Sequence, residues 1–242
     1  MNPAPLAPSA YALVEGMRST RQTLDVWRRR PWRILGVWAG GSLLAAIGLL
    51  TAVWVVATVW KVGGFGSATQ AQVIRPPFVV GGLHDIETIL RRNLLVLALH
   101  AMACLAGFIA GSSVPEQARR HEGLRRRIHD QCGRLAIVFV IGATGFSLSA
   151  QALVIGMEAN SVATRLHTSV GLLLVGLLAH ALLELTALFL PLAAWIIASR
   201  RGEWDQLLAA TLVTVAISLP VLVLAAVVEV YLSPHVLAAV LS

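Results

Sequence analysis

The chain has 242 residues, 57% of them hydrophobic and only 13% charged, whereas charged residues make up about a quarter of an ordinary soluble domain. A mean hydropathy of +0.77 and five long apolar runs argue against a soluble enzyme and for an all-α, polytopic membrane protein. The formal net charge of +7 does not point to nucleic acid, because the basic residues sit beside the apolar runs.

Residues 1–33 form a basic N-terminal segment, expected on the cytoplasmic side. They lack the short basic tip, apolar core and cleavage site of a secretory signal. Ser9 to Arg30 is predicted as a helix lying on the membrane surface, with Tyr11, Val14, Met17, Leu24 and Trp27 toward lipid and its arginines toward anionic headgroups. A plain solvated helix is the alternative.

The transmembrane domain is expected over 34–242. Its first span is Ile34 to Trp60, 27 residues without a charge; a spanning helix needs roughly 20. The long connection Lys61 to Arg92 opens on "KVGGFGSATQ", contains "RPPF", and is predicted to be irregular there. Its end, "LHDIETILRR", has apolar residues at helical spacing and is predicted as a short interfacial helix leading into span two. Span two is Asn93 to Ser113. The polar segment "PEQARRHEGLRRRIHDQCGR" follows, and Arg119, Arg120, Arg125, Arg126 and Arg127 are the candidates there for contact with lipid headgroups or a cytoplasmic partner. Span three is Leu135 to Met157, and Glu158 to Thr168 is a short connection. Span four, Ser169 to Ser199, holds Glu184 as its only formal charge over 31 residues. After "RRGEWDQ", span five is Gln206 to Val228, and the tail beyond Pro234 is too short to cross again.

Arginine supplies 18 of the 19 basic residues. With the N-terminus inside, 14 basic residues lie inside and 5 outside, so the positive-inside rule gives N-in, C-out. The pair Arg91 and Arg92 runs against this count. Cys104 falls mid-span and Cys132 in the cytoplasmic segment, so no disulfide framework is expected.

Polar groups inside a span need partners, because lipid offers none. Asn93, His100, Cys104, Gly107 and Gly111 share one face of span two. Thr144, Ser147 and Gln151 share a face of span three, and His180, Glu184, Ala187 and Pro191 one of span four. In span five, Thr211, Thr214, Ser218, Ala225 and Glu229 do so. Such stripes imply a bundle packed through them. "GFIAG" and "GVWAG" (Gly36 to Gly40) permit close helix approach. Depth, at about 1.5 Å per residue, suggests that Asn93, His100, His180 and Glu229 converge on an outward-facing polar pocket, with Glu184 beneath. His180 and Glu184 are i and i+4 neighbours, and either a hydrogen bond between them or a Glu184 kept neutral by desolvation is the expected answer to the cost of an intramembrane charge. "HALLE" is not a zinc motif, since no third ligand follows at helical spacing, and no metal or cofactor is expected. "GFSLS" has no base placed with its serines, and no glycine loop followed by lysine binds nucleotide phosphate. The chain is not expected to be an enzyme.

Three segments have a family likeness. "HALLELTALFLPLAAWI", "LPVLVLAAVVEVYLSP" and "ILRRNLLVLALHAMACLAGFIAG" resemble, in matching order, signatures of the stage II sporulation protein M family. The likeness keeps the His-x-x-x-Glu step at His180 and Glu184 and the step from Glu229 to Pro234. Ala181 and Thr186 stand where the family has Gly and Pro. The resemblance implies a non-enzymatic, multi-pass protein of the bacterial cytoplasmic membrane that anchors or scaffolds a cell-envelope complex, with Asn93, His180, Glu184, Glu229 and Pro234 as the carried-over positions. The rival expectation comes from layout. A basic helix, two spans and a basic cytoplasmic segment resemble a membrane-spanning permease subunit working with a separate ATP-binding subunit. Expected partners are the bilayer and other membrane or envelope proteins, an ATPase in the rival case. Homo-oligomerisation is left open, and no nucleic acid is expected.

Overall fold

The computed structural model describes the backbone of residues 12–29, 31–62, 81–109 and 124–241. It describes their side chains except at 12–17, 61–62, 124–137, 140 and 241. Among the described residues every element is helical and the protein is an all-α helical bundle. In chain order the elements are α1 (Ala12–Arg28), α2 (Pro31–Val62), α3 (Leu83–Phe108), α4 (Leu124–Arg165), α5 (Val170–Arg201), a 3₁₀ turn (Trp204–Gln206), α6 (Leu207–Val227), a π turn (Val228–Leu232) and α7 (Ser233–Leu241).

Four stretches are long and apolar enough to cross a membrane: Pro31–Trp60, Leu83–Phe108, Val170–Arg201 and Trp204–Val240. They coincide with four of the five expected spans, and the protein is a multi-pass membrane protein. The remaining expected span lies within α4, a single helix of 42 residues, many of whose side chains before Val138 are outside the described set.

Helix ends follow local chemistry. Proline opens α2, where its missing N–H costs nothing. Gly82 caps α3: its N–H donates to the Asp85 carboxylate at 2.8 Å, and its carbonyl accepts from Asp85 at 3.0 Å. The expected short interfacial helix is therefore not separate. No Gly or Pro interrupts residues 83–106, so α3 runs unbroken through Arg91 and Arg92. Helix α4 likewise extends past Met157. It ends in a Schellman pattern, with His167 at φ 52° and the Thr168 N–H on the Ala163 carbonyl at 2.9 Å. Ser169 then caps α5 through its Oγ to the Leu172 N–H at 3.2 Å. Gly202 at φ +71° closes α5 in the same way, with Glu203 N–H on the Ala198 carbonyl at 2.9 Å.

The chain divides into two compact units. The first comprises residues 1–41, 97–142 and 190–217. Its core is Trp38, Leu190, Ala194 and Ala210, with Trp27, Ile34, Leu35, Ile197 and Val213 packed around it. Trp27 of α1 meets Trp38 edge-on, centroids 5.1 Å apart at 80°, the geometry that the ring quadrupoles favour. Gly107 sits under the Trp195 indole, where any Cβ would lie 2.1 Å from Nε1, while Gly36 and Gly40 face open space. The Cys104 thiol donates to the Pro191 carbonyl at 3.2 Å.

The second unit comprises residues 42–96, 143–189 and 218–242. Gly156 of α4 lets α2 approach, since a Cβ there would sit 2.7 Å from Val56 and 3.0 Å from the Val53 carbonyl. Of the expected polar face of α4, Ser147 is exposed while Thr144 and Gln151 are half-buried, and the fully buried line is Ala152, Gly156, Ala159, Asn160 and Ala163. Proline 191 has no N–H, so the Ala187 carbonyl loses its intrahelical donor. Ser218 of α6 replaces it, its hydroxyl donating to that carbonyl at 2.6 Å. Ser42 of α2 donates to the neighbouring Thr186 carbonyl. The bond from Ser218 is the repair that a proline needs where water is absent; Ser42 adds a second acceptor use to a carbonyl whose helical donor, Leu190, is intact.

Candidate intramembrane polar site

The second unit gathers the polar residues of three helices. Asn93 is buried on α3, and His180 is buried on α5. Glu184, one turn along α5, is half-buried, as is Glu229 in the π turn.

The π turn is explained by Pro234. In a regular helix its ring would clash with the carbonyl four residues back and leave that carbonyl without a donor. The backbone widens instead, and the Ser233 N–H reaches back five residues to the Val228 carbonyl. Wide turns of this kind occur often at functional sites. The segment beyond Pro234 is not a loose tail: α7 continues for nine residues. Glu229 therefore lies about 18 Å, at 1.5 Å per residue, from the end of the helical path rather than at its outer edge.

In place of the expected hydrogen bond between His180 and Glu184, His180 bonds to another helix and Glu184 lies near a third. His180 Nδ1 lies 2.7 Å from Ser233 Oγ, in a buried contact. Ser233 Oγ is also 3.2 Å from the Val228 carbonyl. A hydroxyl has one proton, so both contacts are satisfied when Ser233 donates to Val228 and His180 donates from Nδ1. That tautomer leaves Nε2 as an acceptor. Glu184 instead faces the Asn93 amide and lies within electrostatic reach of Arg92. Glu229 feels the charge of both Glu184 and Arg92. The contact of Asn93 with Glu184 is not a well-aligned hydrogen bond, because Asn93 Nδ2 has no partner that meets bonding geometry.

The structure thus sets Asn93, Glu184 and Glu229 within reach of one another and His180 against Ser233, with Pro234 directly after the turn. His100 belongs to the first unit, where it is half-buried and engaged in an interaction of its own. Arg119 and Arg120 lie outside the described residues, and Arg125, Arg126 and Arg127 start α4 with side chains outside them. Two members of the site were missed by pattern reading. Ser233 was detectable, since a serine directly before proline and four residues after an intramembrane glutamate is a ready hydroxyl partner. Arg92 was visible only as an irregularity in the charge count. Among the described residues no three His, Cys, Asp or Glu side chains come together to hold a metal ion.

Compared with family models, curated proteins and solved structures, the chain finds no match.

Proposed function

We propose that the chain is a non-enzymatic membrane scaffold of the bacterial cytoplasmic membrane, similar to the stage II sporulation protein M family, which anchors partners of the cell envelope. One observation carries the reading. The three segments that resemble the family signatures lie far apart in sequence, yet each contributes a polar residue to one cluster: Asn93 from the first, Glu184 from the second and Glu229 from the third. That meeting supports reading the three segments as parts of one packed unit, as the resemblance implies. Intramembrane groups that bond between helices fix how those helices pack, and a scaffold needs a fixed set of helix faces for its partners.

The second reading, a permease subunit working with a separate ATPase, is favoured by the same cluster for a different reason. Ionisable residues inside a membrane commonly mark a path for ions or substrates. Affinity purification of the tagged full chain in mild detergent, with mass spectrometry of what accompanies it, separates the two. Cell-wall hydrolases or division proteins without a nucleotide-binding subunit are the expected result. A stoichiometric ATP-binding subunit overturns the scaffold reading. Substitutions between His121 and Ile128 that uncouple its ATP hydrolysis would then place the coupling contact at and just before the start of α4.

A further inference from the structure

We infer that α1, the start of α2 and the end of α5 form one binding surface for the phosphate groups of anionic phospholipids in the surrounding bilayer.

The depth of α1 is set by what it packs on. The sequence alone suggests a helix with its apolar face in lipid. In the structure Trp27 is turned onto the first unit instead. It meets Trp38 with ring centroids 5.1 Å apart and packs on the core that includes Leu190, Ala194 and Ala210. Helix α1 also touches the 3₁₀ turn Trp204–Gln206. One spanning stretch starts at Pro31, a second ends at Arg201 and a third starts at Trp204. The helix is therefore held where three spans leave the apolar layer, at the level of the lipid headgroups.

The two sides of α1 differ. Arg18, Arg21, Asp25 and Arg28 follow at steps of three or four along one side, and all are exposed. Thr20, Thr23, Leu24 and Trp27 lie on the other side and are half-buried. Arg29 and Arg33 carry the charge into the start of α2. Arg200 and Arg201 bring it from the end of α5, one turn before the 3₁₀ segment that α1 touches. All four are exposed. Against these seven arginines the same segments set Asp25 and Asp205, both exposed, and the half-buried Glu203. Among the described residues none of the seven is held in an ion pair. Two distant parts of the sequence thus supply one surface with a surplus of positive charge.

The chemistry selects a lipid phosphate. A guanidinium presents N–H donors in a planar fork that pairs with two phosphate oxygens, and arginines beside a span are drawn to an anionic leaflet surface. Trp32, between Pro31 and Arg33, is 83% exposed. An indole that open is costly in water and favoured at headgroup level, with its ring toward acyl chains and its N–H toward polar groups. An acidic protein or a nucleic acid would meet the arginines and leave that ring uncovered. The inference rests on the chain being a multi-pass membrane protein and not on the scaffold reading.

Native mass spectrometry of the full chain, released from micelles that contain phosphatidylglycerol or phosphatidylcholine with the same acyl chains, tests this. The unaltered chain is expected to retain phosphatidylglycerol at least about tenfold more tightly. Each arginine is worth about fivefold, so Arg200→Gln/Arg201→Gln should abolish the preference, and Arg18→Gln/Arg21→Gln should do the same. Arg91→Gln/Arg165→Gln removes as much charge from the second unit and should leave it intact. Equal retention of the two lipids by the unaltered chain overturns the proposal, with no variant needed. So does an equal loss in the Arg91→Gln/Arg165→Gln chain, which would make net charge alone the cause. An effect of only one of the two pairs at the surface refutes a shared surface. Displacement of phosphatidylglycerol by an equal concentration of glycerol phosphate would make this a site for soluble phosphates and also overturns it.

Discussion

Ser218→Ala is the substitution whose effect follows most directly from the backbone. Proline 191 removes the N–H that would serve the Ala187 carbonyl, and the Ser218 hydroxyl takes its place at 2.6 Å. Ser218 has no exposed surface, so water cannot substitute for it. Leaving a buried acceptor unpaired costs about 1–3 kcal/mol in soluble proteins. Interhelical hydrogen bonds in membranes are worth less, about 0.6 kcal/mol on average and about 1.7 at most, because the unfolded helices also find partners. The carbonyl here lacks its regular helical donor, which puts the expected loss near the upper membrane value, about 1–2 kcal/mol. That is roughly a 5- to 30-fold drop in the folded-to-unfolded ratio. The decisive comparison is a double-mutant cycle with Pro191→Ala. Alanine at 191 restores an N–H to the helix, the Ala187 carbonyl regains its own donor, and Ser218→Ala should then cost only a few tenths of a kcal/mol. Reversible unfolding of the full chain in mixed micelles, followed by far-ultraviolet circular dichroism, gives all four corners. Equal cost of Ser218→Ala in both backgrounds would refute the reasoning, since the serine would then act by packing alone.

Gly107→Ala places a Cβ 2.1 Å from the Trp195 indole nitrogen and should destabilise by about 1–3 kcal/mol; Gly142→Ala, where the space is open, should stay within about 0.5 kcal/mol in the same unfolding assay. Trp27→Ala removes the edge-on contact with Trp38, worth about 0.5–1.5 kcal/mol beyond area burial, and should free α1 for limited proteolysis well below the temperature at which the bundle unfolds. Unchanged cleavage would show that α1 is held otherwise. Ser233→Ala takes the partner from His180 Nδ1; nitrogen NMR should show the Nδ1–H tautomer of His180 in the unaltered chain and a mixture in the variant. An Nε2–H tautomer in the unaltered chain would reverse the direction of that bond.

Helices and spans were legible in the sequence because lipid imposes a length and an apolarity on every crossing. Four stretches therefore appear where uncharged runs were read. Boundaries were less legible, and each for a local reason. Arg91 and Arg92 look like the end of a connection, but arginine continues a helix readily and α3 runs through them. Glu158 to Thr168 looks polar enough for a loop, yet the αL position at His167 sets the true end of α4. Pro234 looks like a stop, and the π turn carries the helix past it. The residues of the polar site were legible by type and face. Their partners were not, because i to i+4 neighbours are visible in a sequence and interhelical neighbours are not. His180 and Glu184 share a helix face, and each turns to another helix.

The polar residues of the described spans separate into two groups once their partners are known. Ser42 and Ser218 act on carbonyls near Pro191, and Cys104 acts on the carbonyl of Pro191 itself. Ser233 supports the turn forced by Pro234. Thr211 and Thr214 bond back within their own helix. All of these are explained by the need to satisfy hydroxyls and freed backbone groups without water. Asn93, Arg92, Glu184 and Glu229 repair no backbone. They bring two half-buried carboxyl groups, an exposed arginine and an orphaned amide to the spans, at a cost that apolar residues would avoid. A bundle that needed only to hold together would be more stable with that group replaced by well-packed apolar side chains. Its presence therefore asks for a role beyond cohesion, and both the scaffold and the transport readings supply one.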